Sequence, residues 1–318
     1  MNFSIIIPVY NGADTIAALV ENLFRELQDS EIEIILVNDG SADNSVAVCR
    51  EIQQHRPEQV TFVNLSKNFG EHNAVMTGLR YARGNAAVIM DDDFQNPPSE
   101  VNRLVAKLEK GFDVVYGQYE RKHHSLFRNL GSWFNGMMAT VLLKKPKGLY
   151  LCSFKAINRF LIDEIIRYTH PYPYIDGLIF RVTRRVGMVT VQHSPRAVGK
   201  SNYSLARLVR LWLNMFTNFS ILPLRIATIL GCITVVFGMV IAALAVYWAF
   251  TDPLAPAGWP TLVCAMVIFS GTQLLVLGVI GEYLGRLFLG QNGTPQSIVR
   301  EVTGANSASK PPTEAQSR

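Results

Sequence analysis

Five short apolar runs, each ending in polar or turn-forming residues, alternate with stretches of helical periodicity in the first part of the chain. Runs this short and this uniformly apolar are typical of strands buried on both faces of a parallel sheet. Their alternation with helices predicts βαβ units, and therefore an α/β fold with a doubly wound, mostly parallel sheet. The predicted strands are Phe3–Val9, Ile32–Val37, Val60–Leu65, Ala86–Met90 and Phe112–Gly117.

The hydrophobic pattern changes after His123. Apolar and aromatic residues recur at helical spacing over about 124–145, beside Arg128 and a cluster of lysines, as in amphipathic helices that lie at a membrane surface. A core helix of the same domain is the alternative interpretation. A second helix of this interfacial kind is predicted over 205–224, after a catalytic domain that covers residues 1–204.

Two uncharged stretches then follow, Ile226–Phe250 and Thr261–Gly281. The first would extend about 37 Å as a helix, which exceeds the roughly 30 Å hydrocarbon core of a bilayer. The sequence therefore predicts a hairpin of two transmembrane helices, at about 226–250 and 261–284 within a region 225–288. The tail 303–318 is expected to be disordered because it is rich in Ser, Ala, Pro and Lys.

Charge predicts the orientation of this hairpin. Arg225 precedes the first span, Arg286 follows the second, and the connecting loop contains no Lys or Arg. The positive-inside rule then places the catalytic domain and both termini in the cytoplasm. Small residues in both spans would permit close helix packing, and hence a homo-oligomer: Gly231, Gly238, Gly271 and Gly278.

Composition agrees with a membrane-bound protein. Of 318 residues, 49% are hydrophobic, and the excess falls in the two apolar spans. The formal net charge of +5 suits phosphates or an anionic membrane, as well as nucleic acid. Four scattered cysteines show no zinc-binding spacing, which favours a reducing compartment.

The fourth apolar run ends abruptly in the acids Asp91, Asp92 and Asp93, followed by Gln95 and two prolines. Because the prolines force the chain into a loop, these acids should lie at the carboxyl end of a strand, where open α/β sheets bind ligands. Oxygen ligands at Asp91, Asp93 and Gln95 suit Mg²⁺ or Mn²⁺. A solvated acidic turn is the alternative.

Polar residues also follow the other predicted strands: Tyr10, Asn11, Asp39, Lys67 and Asn68. In a parallel sheet these loops converge with the acidic loop on one crevice. Lys67 would then meet a phosphate, or else merely end a strand. A GxGxxG sequence does not follow the first strand, so a dinucleotide-binding domain is disfavoured.

Three motifs together resemble those of family 2 inverting glycosyltransferases with the GT-A fold: Ile7–Asn11, Asn38–Ser45 and Asp91–Pro98. Within that family the chain is similar to the polyisoprenyl-phosphate glycosyltransferases, such as dolichol-phosphate mannose synthase and the bacterial undecaprenyl-phosphate transferases. The resemblance extends from Phe3 to Arg286. Many relatives have Glu where this chain has Gly12, and Asp where it has Asn38.

The resemblance implies a nucleotide-sugar site and a metal site. The nucleotide-sugar residues would be Pro8, Tyr10, Asn11, Asp39, Lys67, Asn68, Asp91 and Asp92. The metal, Mg²⁺ or Mn²⁺, would be held by Asp91, Asp93 and Gln95. Asp91 and Asp93 would thereby take part in catalysis.

The resemblance also implies an acceptor site. The acceptor phosphate would bind Arg128 and Ser132 and, in a basic loop able to close over the diphosphate, Arg196, Lys200 and Ser201. An ordinary surface loop is the alternative for that segment. Asp176, which enters a predicted helix, would be the catalytic base or would orient the acceptor; a helix N-cap is its alternative.

The implied activity is transfer of a sugar from a nucleotide-diphosphate sugar, with UDP favoured, to a polyprenyl phosphate such as undecaprenyl phosphate. Transfer would invert the anomeric centre and supply cell-envelope glycans such as lipopolysaccharide, from the cytoplasmic membrane and without a nucleic acid partner. A processive polysaccharide synthase is an alternative, but it would need more membrane spans. A non-catalytic membrane scaffold subunit is another.

Overall fold

The structure is a computed structural model that describes residues 2–119, 149, 151–192, 222–251 and 258–305. The chain forms two compact units: Met1–Ser204 together with Thr294–Arg318, and Leu205–Gly293. The interfacial helix expected at about 124–145 lies outside the described residues, as does most of the one expected over 205–224.

The described strands form one eight-stranded sheet. They are β1 (Phe3–Val9), β2 (Ile32–Asn38), β3 (Val60–Leu65), β4 (Ala86–Ile89), β5 (Val114–Tyr119), β6 (Lys155–Asn158), β7 (Val186–Val191) and β8 (Val299–Thr303). Their order in the sheet is β7-β5-β6-β4-β1-β2-β3-β8. The five strands predicted from the hydrophobic runs all lie within this sheet.

Most of the described strands run in the same direction. β1 pairs in parallel with β2 and β4, β2 with β3, and β5 with β7. However, β6 runs antiparallel between β4 and β5, and β8 runs antiparallel along β3. The described sheet is therefore mixed but mostly parallel: six of its eight strands run in one direction, and the two antiparallel strands, β6 and β8, are short strands that the sequence analysis did not predict.

Helices connect the strands and cover the sheet. In the first unit they are α1 (Ile16–Glu26), α2 (Ser45–His55), α3 (Glu71–Tyr81), α4 (Val101–Leu108, after a 3-10 turn at Pro98–Glu100), α5 (Arg159–Ile166) and α6 (Ile175–Val182). α3 packs on β1 and β2. At Gly78 a Cβ atom would lie 2.5 Å from Ile6 Cγ2, so the absent side chain lets α3 approach the sheet closely.

The segment after the second unit returns to the sheet and is tied down by buried polar contacts. Gln296, which is 4% exposed, accepts a hydrogen bond from Arg80 at 2.6 Å. Its amide nitrogen donates to the carbonyl oxygens of Tyr168 and His170, both at 2.8 Å. Gln296 thus joins α3, the approach to α6 and β8. The predicted start of the disordered tail, at 303, falls on the last residue of β8, and residues 306–318 lie outside the described part of the chain.

The second unit contains two long apolar helices, α7 (Leu222–Thr251) and α8 (Trp259–Gln291), which pack against each other. Among the described residues, Ile268–Gln291 is a segment whose length and apolar composition would allow it to cross a bilayer, and Ala227–Ile241 is a shorter apolar helical segment. At Gly238 a Cβ atom would lie 2.2 Å from the Phe269 ring, so this glycine lets the two helices meet.

Replacing Gln296 with Ala should destabilise the first unit. The substitution leaves two carbonyl groups and the Arg80 guanidinium without their partners, so we expect the free energy of unfolding to fall by about 2–4 kcal/mol. Thermal melts of the detergent-solubilised protein would measure the loss. Arg300→Ala is the matched control, since among the described residues that exposed side chain makes a single, 3.4 Å contact to the Ser66 carbonyl. Equal shifts for the two variants would contradict the role of Gln296.

Candidate active site

Four parallel strands end at the same edge of the sheet: β1 at Val9, β2 at Asn38, β3 at Leu65 and β4 at Ile89. Backbone hydrogen bonds continue just past these ends, since the Asp39 N–H donates to the Val9 carbonyl at 2.9 Å. The loops that follow the strands therefore begin side by side. Every polar residue that the sequence analysis placed after β1 to β4 lies in one of these loops.

The loop after β1 is joined to the loop after β2. Asn11 has a positive φ of 55°, and its side-chain oxygen accepts a hydrogen bond from the Ala42 N–H at 2.9 Å. Its own N–H donates to Ser41 Oγ at 3.0 Å. The Asn11 side chain thus supports the neighbouring loop. Beside it Tyr10 is 46% exposed, with its ring open for stacking on a planar ligand.

Asp39 organises the loop after β3. This buried carboxylate accepts hydrogen bonds from the N–H groups of Phe69, at 2.7 Å, and Gly70, at 2.9 Å. Burial raises its pKa, while these two backbone donors lower it. The loop held in this way presents Lys67 and Asn68 to solvent. Asp39 therefore fixes the shape of this loop.

The three acids after β4 occupy different environments. Asp91 accepts a hydrogen bond from the Ser153 hydroxyl, and Asp93 accepts one from the Gln95 N–H at 3.1 Å. Oδ2 of Asp92 is buried and has no hydrogen-bond partner among the described residues. Because Asp93 is buried and the other two are half-buried, the alternative of a solvated acidic turn is wrong.

Asp92 also explains why Gly12 suits this chain. A Cβ atom at Gly12 would lie 2.1 Å from Asp92 Oδ2, so any side chain there would displace the carboxylate. The departure from the Glu found in many relatives therefore makes room for Asp92.

The carboxylates of this edge repel one another. Burial raises the pKa of Asp91 to about 7, with Glu71 and Asp93 adding to the rise and the Ser153 hydroxyl opposing it. Burial likewise raises the pKa of Asp92 to about 7, together with Asp91 and Asp93. Although part of the Glu71 side chain is exposed, partial desolvation of its carboxylate raises its pKa, and Asp176, Asp39 and Asp93 add to the rise. A cation bound here would relieve this repulsion.

Within the described residues, no three His, Cys, Asp or Glu side chains are arranged as a ready-made metal site. The donor chemistry nevertheless fits a hard divalent cation, since Asp91 and Asp93 supply carboxylates and Gln95 an amide oxygen. The raised pKa values of the carboxylates at this edge, and the unpartnered Asp92 oxygen, show negative charge that the protein alone does not fully offset.

Asp176 lies in the first turn of α6 and is 6% exposed. Its Oδ1 accepts hydrogen bonds from the Tyr116 hydroxyl, at 2.8 Å, and from the Lys155 ammonium. The N-cap of α6 is Tyr174, and no side chain caps it, so the helix-cap interpretation of Asp176 is wrong. The Tyr174 ring packs edge-on against His72 of α3, with 5.2 Å between ring centroids. This contact docks the start of α6 on the start of α3, beside Glu71.

Sequence reasoning missed several residues of this site: Glu71, Tyr116, Ser153 and Lys155. One signal was available, since Lys155 interrupts the apolar run Phe154–Ile157 and a lysine within such a run implies a buried partner. The predicted acceptor residues lie outside the described part of the chain and stay predictions: Arg128, Ser132, Arg196, Lys200 and Ser201.

Comparison with known proteins agrees with this geometry. Residues 4–166 match the model of the family described as "Glycosyl transferase family 2". The chain is 32% identical over 311 residues to undecaprenyl-phosphate 4-deoxy-4-formamido-L-arabinose transferase of Proteus mirabilis, covering 96% of this chain and 95% of that protein. It is 33% identical over 306 residues to the protein of the same name from Yersinia enterocolitica, covering 95% and 94%.

Among solved structures, a "Crystal Structure of a Mycobacterial Protein" superimposes with a TM-score of 0.50 at 20% identity, covering 72% of this chain and 74% of that one. At this identity the likeness concerns the fold alone. With the family match, it confirms the expected GT-A-type α/β core.

Substitutions of Asp39 should show how much its two hydrogen bonds contribute to stability. Asp39→Ala leaves the Phe69 and Gly70 N–H groups unpaired and should cost about 2–3 kcal/mol of unfolding free energy, whereas Asp39→Asn keeps one acceptor oxygen and should cost less. Amide hydrogen exchange over residues 66–70 should be fastest in Asp39→Ala and intermediate in Asp39→Asn. Asn68→Ala, at an exposed position of this loop, is the control. Unchanged exchange in Asp39→Ala would contradict this role.

The unfolding free energy of the chelator-treated protein should fall as pH rises from about 5 to 8. Burial raises the pKa of Asp92 to about 7, so the folded protein retains a proton that the unfolded chain releases near pH 4. Asp92→Asn removes this titration and should flatten the slope by about 1–3 kcal/mol over that range. Thermal melts at pH 5.5, 6.5 and 7.5 would show it. The unfolding free energies of the unmodified protein and Asp92→Asn should differ least at pH 5.5. If both fall equally with pH, the pKa of Asp92 is not raised.

Proposed function

We propose that this chain, which belongs to glycosyl transferase family 2, transfers a sugar from a nucleotide-diphosphate sugar to a polyprenyl phosphate in the membrane. The observation that carries the proposal is the convergence of Asp91, Asp93 and Asp176 on one edge of a family 2 core. The acceptor is inferred from relatives that align over nearly the whole chain and are named for undecaprenyl phosphate. UDP is the favoured nucleotide.

The nucleotide-diphosphate sugar would bind across the carboxyl ends of β1 to β4. The exposed Tyr10 ring is placed to stack on a base, between Pro8 near the end of β1 and Asn11 in the loop that follows. Lys67 and Asn68 are exposed on the loop that Asp39 holds, where a cation and an amide would contact a diphosphate. Each of these roles rests on the position of the residue at this edge.

A divalent cation, Mg²⁺ or Mn²⁺, would be held by Asp91, Asp93 and Gln95. When bound, such an ion supplies positive charge that stabilises a leaving nucleoside diphosphate. Two hydrogen bonds orient the carboxylates: the Ser153 hydroxyl donates to Asp91, and the backbone N–H of Gln95 donates to Asp93.

Asp176 would orient the acceptor phosphate rather than deprotonate it. A phosphate monoester is already largely ionised at neutral pH, so a strong base brings little advantage. Oδ1 of Asp176 is occupied by Tyr116 and Lys155, and no described residue donates a hydrogen bond to Oδ2. Attack of the phosphate oxygen on the anomeric carbon, opposite the leaving diphosphate, would invert the configuration. Arg128, Ser132, Arg196, Lys200 and Ser201 are proposed to bind the acceptor phosphate.

α7 and α8 are proposed to form the membrane hairpin, with the catalytic unit and both termini in the cytoplasm. They contain 30 and 33 residues, more than the roughly 20 that a span requires. Large apolar side chains are exposed along both helices, for example Ile233, Phe237, Leu274 and Leu287. An exposed apolar surface of this extent requires a nonaqueous partner, and lipid suits two adjacent apolar helices.

A donor screen would test the proposed activity. Protein in detergent, with undecaprenyl phosphate and Mn²⁺ or Mg²⁺, would be offered radiolabelled UDP-, GDP- and dTDP-sugars, and label entering the lipid phase counted. We expect transfer from one UDP-sugar, abolition by chelator, and a loss of about 100-fold or more in Asp93→Ala. The exposed Asp29→Ala variant is the acidic control.

The outcomes of this screen separate the alternatives. Nuclear magnetic resonance of the lipid product would give its anomeric configuration, and retention would contradict a single displacement. A polymer that grows with time would indicate a processive synthase. Absence of metal-dependent nucleotide binding would overturn the proposed enzymatic activity and favour a scaffold subunit.

A further inference from the structure

Lys155 occupies a central position of the sheet. It begins β6 and lies opposite Ile89 of β4 on one side and opposite Tyr116 of β5 on the other. Two residues earlier in the chain, Ser153 holds Asp91 by a hydrogen bond. The short segment Ser153–Lys155 therefore contacts both the acidic loop after β4 and, through Lys155, the start of α6.

The Lys155 ammonium lies almost entirely out of water. The residue is 3% exposed, and its Nζ donates to Asp176 Oδ1 while lying 5.0 Å from the centre of the Tyr116 ring. The Tyr116 hydroxyl donates to the same carboxylate oxygen. Buried ion pairs of this kind are often no more stabilising than apolar side chains of similar size, so stability alone does not account for a lysine here.

Lys155 also offsets the acids around it. Its charge lowers the pKa of both Glu71 and Asp91, while the neighbouring carboxylates raise them. His72, which follows Glu71 in α3, is neutral near pH 7 because burial lowers its pKa to about 4. Lys155 thus places an ammonium group among Glu71, Asp91 and Asp176.

We infer that Lys155 is a positioning residue of the transfer reaction: it holds Asp176 in place through Oδ1, in concert with Tyr116, and its positive charge offsets the repulsion between this carboxylate and the anionic acceptor phosphate. The inference rests on the proposed function. It differs from a purely structural role because Lys155 then acts on turnover through Asp176, and not on the binding of the nucleotide sugar.

Removing the charge of Lys155 should therefore lower kcat with little change in KM. For Lys155→Met we expect a loss of about 100-fold in kcat and a change of less than about 3-fold in the KM for the nucleotide sugar. In Lys155→Ala, added propylammonium should restore part of the activity, whereas propanol at the same concentration should not. Rescue by the cation alone would separate a missing charge from a missing volume.

A double-mutant cycle tests whether Lys155 acts through Asp176. Asp176→Asn should lower kcat on its own, and Lys155→Met combined with Asp176→Asn should be no less active than Asp176→Asn alone. The same cycle in melting temperature should be non-additive, with the double variant more stable than Lys155→Met, because it no longer buries an unpaired carboxylate. This double variant also guards against failure of the single variant to fold.

Two results would overturn the inference: a folded Lys155→Met variant with unchanged kcat, or a double variant whose loss equals the product of the single losses. Failure of the proposed function has a different signature, since the unmodified protein would then transfer no sugar from any donor. The melting temperatures would then still test the contact itself: if the shifts of Lys155→Met and Asp176→Asn simply add in the double variant, the two side chains do not interact.

Discussion

The structure depends on burying several carboxylates at the carboxyl edge of an apolar sheet. Charged groups leave water at a high cost unless hydrogen bonds or opposite charges replace the lost hydration. Each acid here receives a different compensation: backbone N–H groups for Asp39, a hydroxyl for Asp91, and an ammonium with a phenol for Asp176. Where the compensation is incomplete, at Asp91 and Asp92, the pKa rises to about 7. The same incompleteness makes this edge receptive to a cation and to the charged groups that a cation attracts.

The antiparallel strand β6 makes most of this compensation available. A sheet in which β5 followed β4 directly would leave the acidic loop without Ser153 and the start of α6 without Lys155. Because β6 pairs with both β4 and β5, the segment leading into it passes beside the end of β4 and within reach of α6. The strand that departs from a regular doubly wound order is therefore the one that links the acidic loop after β4 to Asp176 of α6.

The sequence predicted those parts of the fold that local patterns encode. β1 to β4 are apolar along their length and end in turn residues, so their positions and the identity of the loops after them followed from hydrophobicity alone. β6 and β8 did not, because Lys155–Asn158 has only four residues and is partly polar, while Val299–Thr303 contains two adjacent charged residues and does not alternate between apolar and polar positions. Each of these segments becomes a strand only by pairing with a distant part of the chain. The hydrogen-bond partners of Asp39 and Asp176 could not be predicted either. Those of Asp39 depend on the turn at Gly70, and those of Asp176 depend on where the sheet places Lys155.

The first unit is built from two separate stretches of the chain, and the second stretch helps to hold its loops. The chain leaves this unit after Ser204 and rejoins it at Thr294, so that β8 covers the edge of β3 and Gln296 bonds to Arg80 of α3. Gln296 also bonds to the backbone just before α6, the helix that carries Asp176. A chain that ended at residue 204 would expose the β3 edge and leave the start of α6 without these bonds. The segment beyond the apolar helices is thus part of the catalytic core, and the geometry at Asp176 depends on residues that the chain contributes last.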